Sequence, residues 1–338
     1  MPHQIRLWKI TDGEELSEIE TSHLDLEERL EDWLARDVSA IGEDLLVIGR
    51  QLQTDYGGII DLLCIDRDGD LAILELKRDK TPRDITAQAL DYGSWVVDLS
   101  AEEIAKIADE YLKANGPLEK AFRARFGSDL PDTLNESHRL YVIASRIDAS
   151  SERIIKYLHE QYEVAINAIT FQYFKTREGS ELLGQVFLIK PDDGVKPPSK
   201  RRPNLTYEQL QAQADENGIG ELYSHAVATL EPLFQRKGTT RSGLRLEARW
   251  TEGQTGTLLN LLPGQDDPHG GLPFQAYTHR LAKFYALSEE DVRALLPGDA
   301  EFWEYYAGVS EDMQGHAGEF VTREDIDRFA EGLRREEG

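Results

Sequence analysis

Two apolar runs, Ile59–Ile65 and Leu71–Lys77, flank the tetrapeptide Asp66-Arg67-Asp68-Gly69. An Asp-Gly pair between such runs predicts a β-hairpin. Downstream, Thr81-Pro82 turns the chain, and a helix is expected from Asp84 through Val97. Upstream, the stretch from Leu24 to Arg36 has apolar residues at 26, 30, 33 and 34, a helical stripe. Leu45–Leu52 reads as a strand, and Ile5–Ile10 as a short alternating edge strand ended by Thr11-Asp12-Gly13. The exposed face of that strand would carry Arg6, Trp8 and Lys9.

Further along, residues 101–126 show amphipathic helical spacing broken at Gly116-Pro117, with Arg123 and Arg125 on a solvated face. Arg139–Ser145 is a strand, and Ser150-Ser151-Glu152 marks the start of a helix over Arg153–Gln161. Val164–Phe174 and Leu182–Ile189 are two more strands, giving a β-α-β-β unit that extends the sheet. Residues 193–203 form a Pro-rich linker holding four cations in seven positions, Lys196 to Arg202.

A second domain is expected over 204–338. Thr206 caps one helix and Ile219–Phe234 forms another. Gly243–Trp250 alternates strictly, with Thr257–Leu262 as its hairpin partner, and Arg241, Arg245 and Arg249 are expected on one face. Helices are expected at Phe274–Tyr285, Ser288–Leu295, Glu301–Tyr306 and Thr322–Arg334. His269, His279 and His316 lack a metal-ligand spacing and read as exposed loop residues.

Charge changes the picture in the hairpin. Strand side chains alternate faces, so Glu75 and Lys77 point the same way, out of an otherwise apolar run. Asp61 interrupts the facing strand. Burying such groups costs several kcal/mol unless they are paired or bind a cation. Gln88 and Tyr92, four residues apart on the following helix, share a face that can look back at the hairpin.

Asp61, then Glu75-Leu76-Lys77, then Gln88 and Tyr92 as a QxxxY element, resemble the PD-(D/E)xK nuclease superfamily. Over roughly residues 20–100 the order of elements is similar to the nuclease domain of NucS (EndoMS) endonucleases. The resemblance implies an α/β fold with a restriction-endonuclease-like core, a mixed sheet flanked by helices, over residues 1–192. It implies Mg²⁺ or Mn²⁺ held by Asp61, Glu75, the Leu76 carbonyl and an acid of the upstream helix, for which Glu28, at the edge of the apolar stripe, is the choice. Asp25, Glu27, Glu31 and Asp32 read as solvated. Lys77 would orient or help deprotonate the attacking water, with Gln88 and Tyr92 as supports.

The activity so implied is metal-dependent endonucleolytic hydrolysis of DNA, in repair or in defence against foreign DNA. RNA as a substrate is left open. The competing reading is a catalytically silent nucleic-acid or partner-binding module on the same fold. A symmetric homodimer would let two sites cut both strands, and the α+β domain at 204–338 would serve target recognition, oligomerisation or a protein partner.

Composition narrows this. The chain has 338 residues, 40% of them hydrophobic and 30% charged, and a net charge of −25. That acidity argues against tight non-specific DNA binding, which draws on phosphate contacts. No run of eighteen apolar residues predicts a membrane span. The start, MPHQIRLWKI, has no apolar leader core, and the single cysteine, Cys64, falls in a buried strand. A reducing cytoplasm is the expected setting.

Overall fold

The computed structural model forms two compact units, residues 1–118 with 133–201, and residues 119–132 with 202–338. The structure describes residues 5–11, 15–21, 26–80, 84–113, 116–131, 133–176, 178–190, 203–251, 254–265 and 270–334. The expected basic linker, apart from Pro203, and His269 lie outside the described residues. Where a single cut near residue 192 was expected, residues 119–132 instead join the second unit. Local amphipathicity says that a helix has a buried face, not which core buries it.

The first unit opens with β1 (Leu7–Thr11) and β2 (Glu15–Ile19), an antiparallel pair. Arg6 ion-pairs with Glu18 at 2.8 Å and lies over the Trp8 ring, and Lys9 pairs with Glu178. Then follow α1 (Leu26–Arg36), β3 (Leu45–Gln53), β4 (Ile59–Asp66), β5 (Leu71–Lys80), α2 (Asp84–Val96) and α3 (Ala101–Leu112). After α4 (Leu118–Phe126), which runs into the second unit, come β6 (His138–Arg146), α5 (Ala149–Tyr162), β7 (Ile166–Lys175) and β8 (Glu181–Phe187).

The strands make a six-stranded mixed sheet in the order β3-β4-β5-β6-β7-β8. β5, β6 and β7 are parallel and the other pairs antiparallel. Interior strands covered on both faces carry near-continuous apolar sequence; Leu71–Leu74 and Val142–Ala144 are fully buried. One layer of the core joins Leu30 and Leu34 of α1 to Leu62, Cys64, Leu74 and Leu76 of the sheet. The α5 cap is Asp148, whose carboxylate accepts from the Ser150 and Ser151 amides, rather than either serine. Asp-Gly turns the hairpin as expected, with Gly69 at φ +81.

The second unit has α6 (Tyr207–Glu216), α7 (Gly220–Leu230), β9 (Arg236–Thr239), β10 (Leu244–Thr251), β11 (Gln254–Leu261), β12 (Leu272–Ala276), α8 (Thr278–Tyr285), α9 (Glu289–Leu295), β13 (Glu301–Glu304), β14 (Gln314–Phe320) and α10 (Arg323–Leu333). Its sheet, in the order β13-β14-β12-β11-β10-β9, is antiparallel throughout. Thr206 and Gln209 form a capping box on α6.

Several expectations fail here. The run read as helix from Phe274 begins as β12, and Glu301–Tyr306 is a strand at its start. Both are short apolar or aromatic segments, for which period alone does not separate strand from helix. His316 lies half-buried on β14, and His279 lies on α8, bonded to Glu289 at 2.7 Å. Arg245 and Arg249 share the polar face of β10, whereas Arg241 precedes that strand. Among the described residues no helix is long and apolar enough to cross a membrane.

Candidate active site

The ladder between β4 and β5 ends at Leu62↔Leu74. Beyond it the strands part. β4 keeps its pairing with β3, through Leu52↔Ile60, while β5 keeps its pairing with β6, through Lys77↔Ala144. A fork opens, and Asp61, Glu75 and Lys77 are gathered at it. The Asp61 side chain takes the place of the missing ladder partner, its Oδ2 accepting from the Leu76 N–H at 2.7 Å. Its Oδ1 accepts from the Gln51 amide at 3.0 Å.

Glu75 is 1% exposed. Its Oε1 pairs with Lys77 Nζ at 2.8 Å. Its Oε2 is buried with no hydrogen-bond partner. Burial and the neighbouring Asp61 push the Glu75 carboxyl up to about 7, against the pull of Lys77. Burial likewise raises Asp61, opposed by the Leu76 amide, Gln51 and Lys77. A buried carboxyl raised further by a second carboxyl beside it calls for a proton or for a cation between the two. An orphaned buried carboxylate oxygen costs at least about 1–3 kcal/mol. The donor set is all oxygen, which suits a hard divalent ion that keeps some of its waters. The residues therefore fit such an ion, although among the described residues no group of three His, Cys, Asp or Glu side chains is gathered to hold a metal.

Gln88 and Tyr92 meet as the i, i+4 spacing requires, with Gln88 Nε2 donating to the Tyr92 hydroxyl at 2.7 Å. The hydroxyl donates in turn to the Ile59 carbonyl at 2.8 Å. Their bonds thus brace the β4 backbone two residues before Asp61, rather than reaching Lys77 or Glu75. Gly58 lets the Tyr92 ring approach, since a Cβ there would stand 2.5 Å from it. Trp95 Nε1 donates to Asp55 at 2.9 Å and ties α2 to the loop before β4.

Glu28 lies on α1, with its side chain outside the described residues. Glu31, read from the sequence as solvated, is instead 9% exposed. Arg50 Nε holds its Oε1 at 2.7 Å, and Arg50 Nη2 holds Asp32 at 2.6 Å. The Glu31 charge adds to the upward push on Asp61. Glu28 and Glu31 are three residues apart and share a helix face. The signal for Glu31 was its spacing from Glu28; its partner, Arg50, lies on β3, beyond the reach of helical periodicity.

Two carboxylates and a lysine thus meet at a fork in the mixed sheet. Residues 26–114, which include Asp61, Glu75, Lys77, Gln88 and Tyr92, match the family described as the endonuclease NucS C-terminal domain. Over that stretch the chain is NucS-like. Among solved structures, a repair endonuclease from Pyrococcus abyssi is similar at 15% identity and TM-score 0.25, covering 44% of this chain and 47% of that one. An EndoMS-dsDNA2 complex is similar at 17% identity and TM-score 0.26, covering 45% and 47%. The chain thus spans about half the length of the solved relatives it matches. No curated protein matches it.

Proposed function

We propose that the protein is a Mg²⁺- or Mn²⁺-dependent deoxyribonuclease whose active site is the β4–β5 fork. The observation that carries this reading is Glu75 Oε2, a buried carboxylate oxygen without a partner beside a second carboxylate. Asp61, Glu75 and the Leu76 carbonyl would hold the ion, with Glu28 of α1 as a further acid. The ion would lower the pKa of water and offset charge gathering on the phosphate. Lys77, held by Glu75, directs its ammonium at the nucleophilic water or at the phosphate oxygens. Gln88 and Tyr92 fix the strand that presents Asp61, a supporting role of the kind that tunes metal sites from behind. The match to an endonuclease domain supports phosphodiester hydrolysis, and DNA repair or defence is the setting we infer.

The test is cleavage of labelled single-stranded, duplex, mismatched and branched DNA, and of RNA, with Mn²⁺, Mg²⁺ or EDTA. Metal-dependent cutting of DNA that is lost in Asp61→Ala is the expected result. Full cutting by Asp61→Ala would refute the site. Binding of DNA without cutting under any metal would instead mark a silent binding module.

A further inference from the structure

We infer that Gln51 is a positioning residue of this site, one that sets the orientation of the Asp61 carboxylate. The inference rests on the reading of the fork as a metal-dependent active site and names a part of it that the hairpin and helix motifs do not contain.

Gln51 lies on β3 between Arg50, opposite Leu62, and Leu52, opposite Ile60. It therefore stands across from Asp61. The β3–β4 register shifts between Val47 and Gly49, just upstream. Such bulges twist a strand and re-aim the side chains that follow. The backbone at Gln51 is left-handed, with φ +49. That region clashes with a Cβ, and it is tolerated mainly by Gly, Asn and Asp. Glutamine has no local bond of the Asn kind to offset the clash. Nor is burial the compensation, because Gln51 is exposed. What the side chain does there is donate its amide to Asp61 Oδ1 at 3.0 Å.

The neighbouring Arg50 reaches α1, where its guanidinium holds Glu31 and Asp32. Two consecutive side chains thus grip the two flanks of the site. With Leu76 N–H on Oδ2 and Gln51 on Oδ1, the Asp61 carboxylate is fixed at both oxygens. Its orientation is then set before any ion arrives, which lowers the entropy lost on binding one. Strained backbone that persists at a functional site is the expected signature of this arrangement.

Gln51→Gly separates positioning from plain structural support. It removes the amide and also relieves the backbone, so a positioning role moves stability and metal binding in opposite directions. The expected result with the full-length protein is a Tm unchanged or slightly raised. Mn²⁺ affinity, read by electron paramagnetic resonance of the free ion, should fall about fivefold or more. On labelled DNA, kcat should fall about tenfold with KM within twofold of wild type. Gln51→Asn, which tolerates the left-handed backbone but has a shorter reach, should fall between the two. Asp61→Ala is the control for the site. If wild type neither binds Mn²⁺ nor cuts, the active-site reading fails and takes this inference with it. If wild type does both and Gln51→Gly matches it, the positioning role alone is overturned.

Discussion

Two glutamates, one in each unit, are equally buried at 1% exposure, yet their surroundings differ. Glu119 of the second unit is met at both oxygens, by the Tyr306 hydroxyl at 2.5 Å and the Ser310 N–H at 3.3 Å. Glu75 of the first is met at one oxygen only, by Lys77, and the other faces no donor. Their neighbouring aspartates both have two bonded oxygens and differ in the charge beside them. Asp129 has both oxygens engaged, by Arg123 and by the fully buried Arg280, whose guanidinium also reaches the Thr257 carbonyl at 2.8 Å. Asp61 instead sits beside another carboxyl that burial drives toward protonation. The fold accounts for Glu119 and Asp129. It does not account for Glu75, which asks for a partner from outside the polypeptide. Under the proposed function, the difference separates polar groups kept for structure from those kept for chemistry.

The largest effect expected from this contrast is catalytic. Lys77→Ala should reduce metal-dependent cleavage at least about a thousandfold, roughly 4 kcal/mol of transition-state stabilisation, in a protein that still folds. Near-normal turnover would remove Lys77 from the site.

In the second unit the effect should be on stability instead. Asp129→Ala leaves Arg280 buried without its counter-ion, at a cost of about 3–5 kcal/mol. Calorimetry should show a clear drop in Tm, and a chain cut at residue 203, which lacks both Glu119 and Asp129, should fail to fold alone. A well-folded 204–338 fragment would contradict the division of the chain found here.

The two glutamates should respond to amidation with opposite signs. The Glu75 carboxyl lies near 7 when folded, against an ordinary value of 4.5. A raised acid favours the folded state most below 4.5, and that contribution is lost as pH climbs through 7. The metal-free protein should therefore lose on the order of 3 kcal/mol through Glu75 between pH 5 and 8. Glu75→Gln should melt higher than wild type at pH 8, with the gap closing at pH 5. Glu119→Gln should melt lower at pH 8, by about 1–3 kcal/mol, for want of one acceptor. Parallel shifts in the two variants would erase the distinction between them.

The smallest expected effect is that of Tyr92→Phe. It strands the Ile59 carbonyl and the Gln88 amide, costing about 1–2 kcal/mol of stability, with kcat reduced several-fold through a looser β4. A loss of activity as deep as that of Asp61→Ala would mean that Tyr92 itself reaches the phosphate.

The hairpin and its helix were legible because every level of sequence agreed there. Alternation placed Glu75 and Lys77 on one side, Asp-Gly made the turn, and four-residue spacing joined Gln88 to Tyr92. The parting of β4 from β5 was not legible, since it depends on which neighbour each strand keeps. Neither was the pairing of Glu31 with Arg50, nor the strain at Gln51, because both depend on the register of β3 against α1 and β4. In the second unit Glu301–Glu304 misled because a four-residue aromatic segment has no resolvable period. The helix at Leu118–Phe126 was legible as a helix but not as a component of the second unit, because Glu119 meets Tyr306, and Asp129 meets Arg280, only in three dimensions.

The most direct test of the central claim is a calorimetric titration of Mn²⁺ into the wild-type protein and Glu75→Gln at pH 8. A saturable site in wild type, weakened at least tenfold in Glu75→Gln with the fold intact, is the predicted result. Equal binding to both, or binding to neither, would mean that the unpartnered oxygen of Glu75 does not hold a metal.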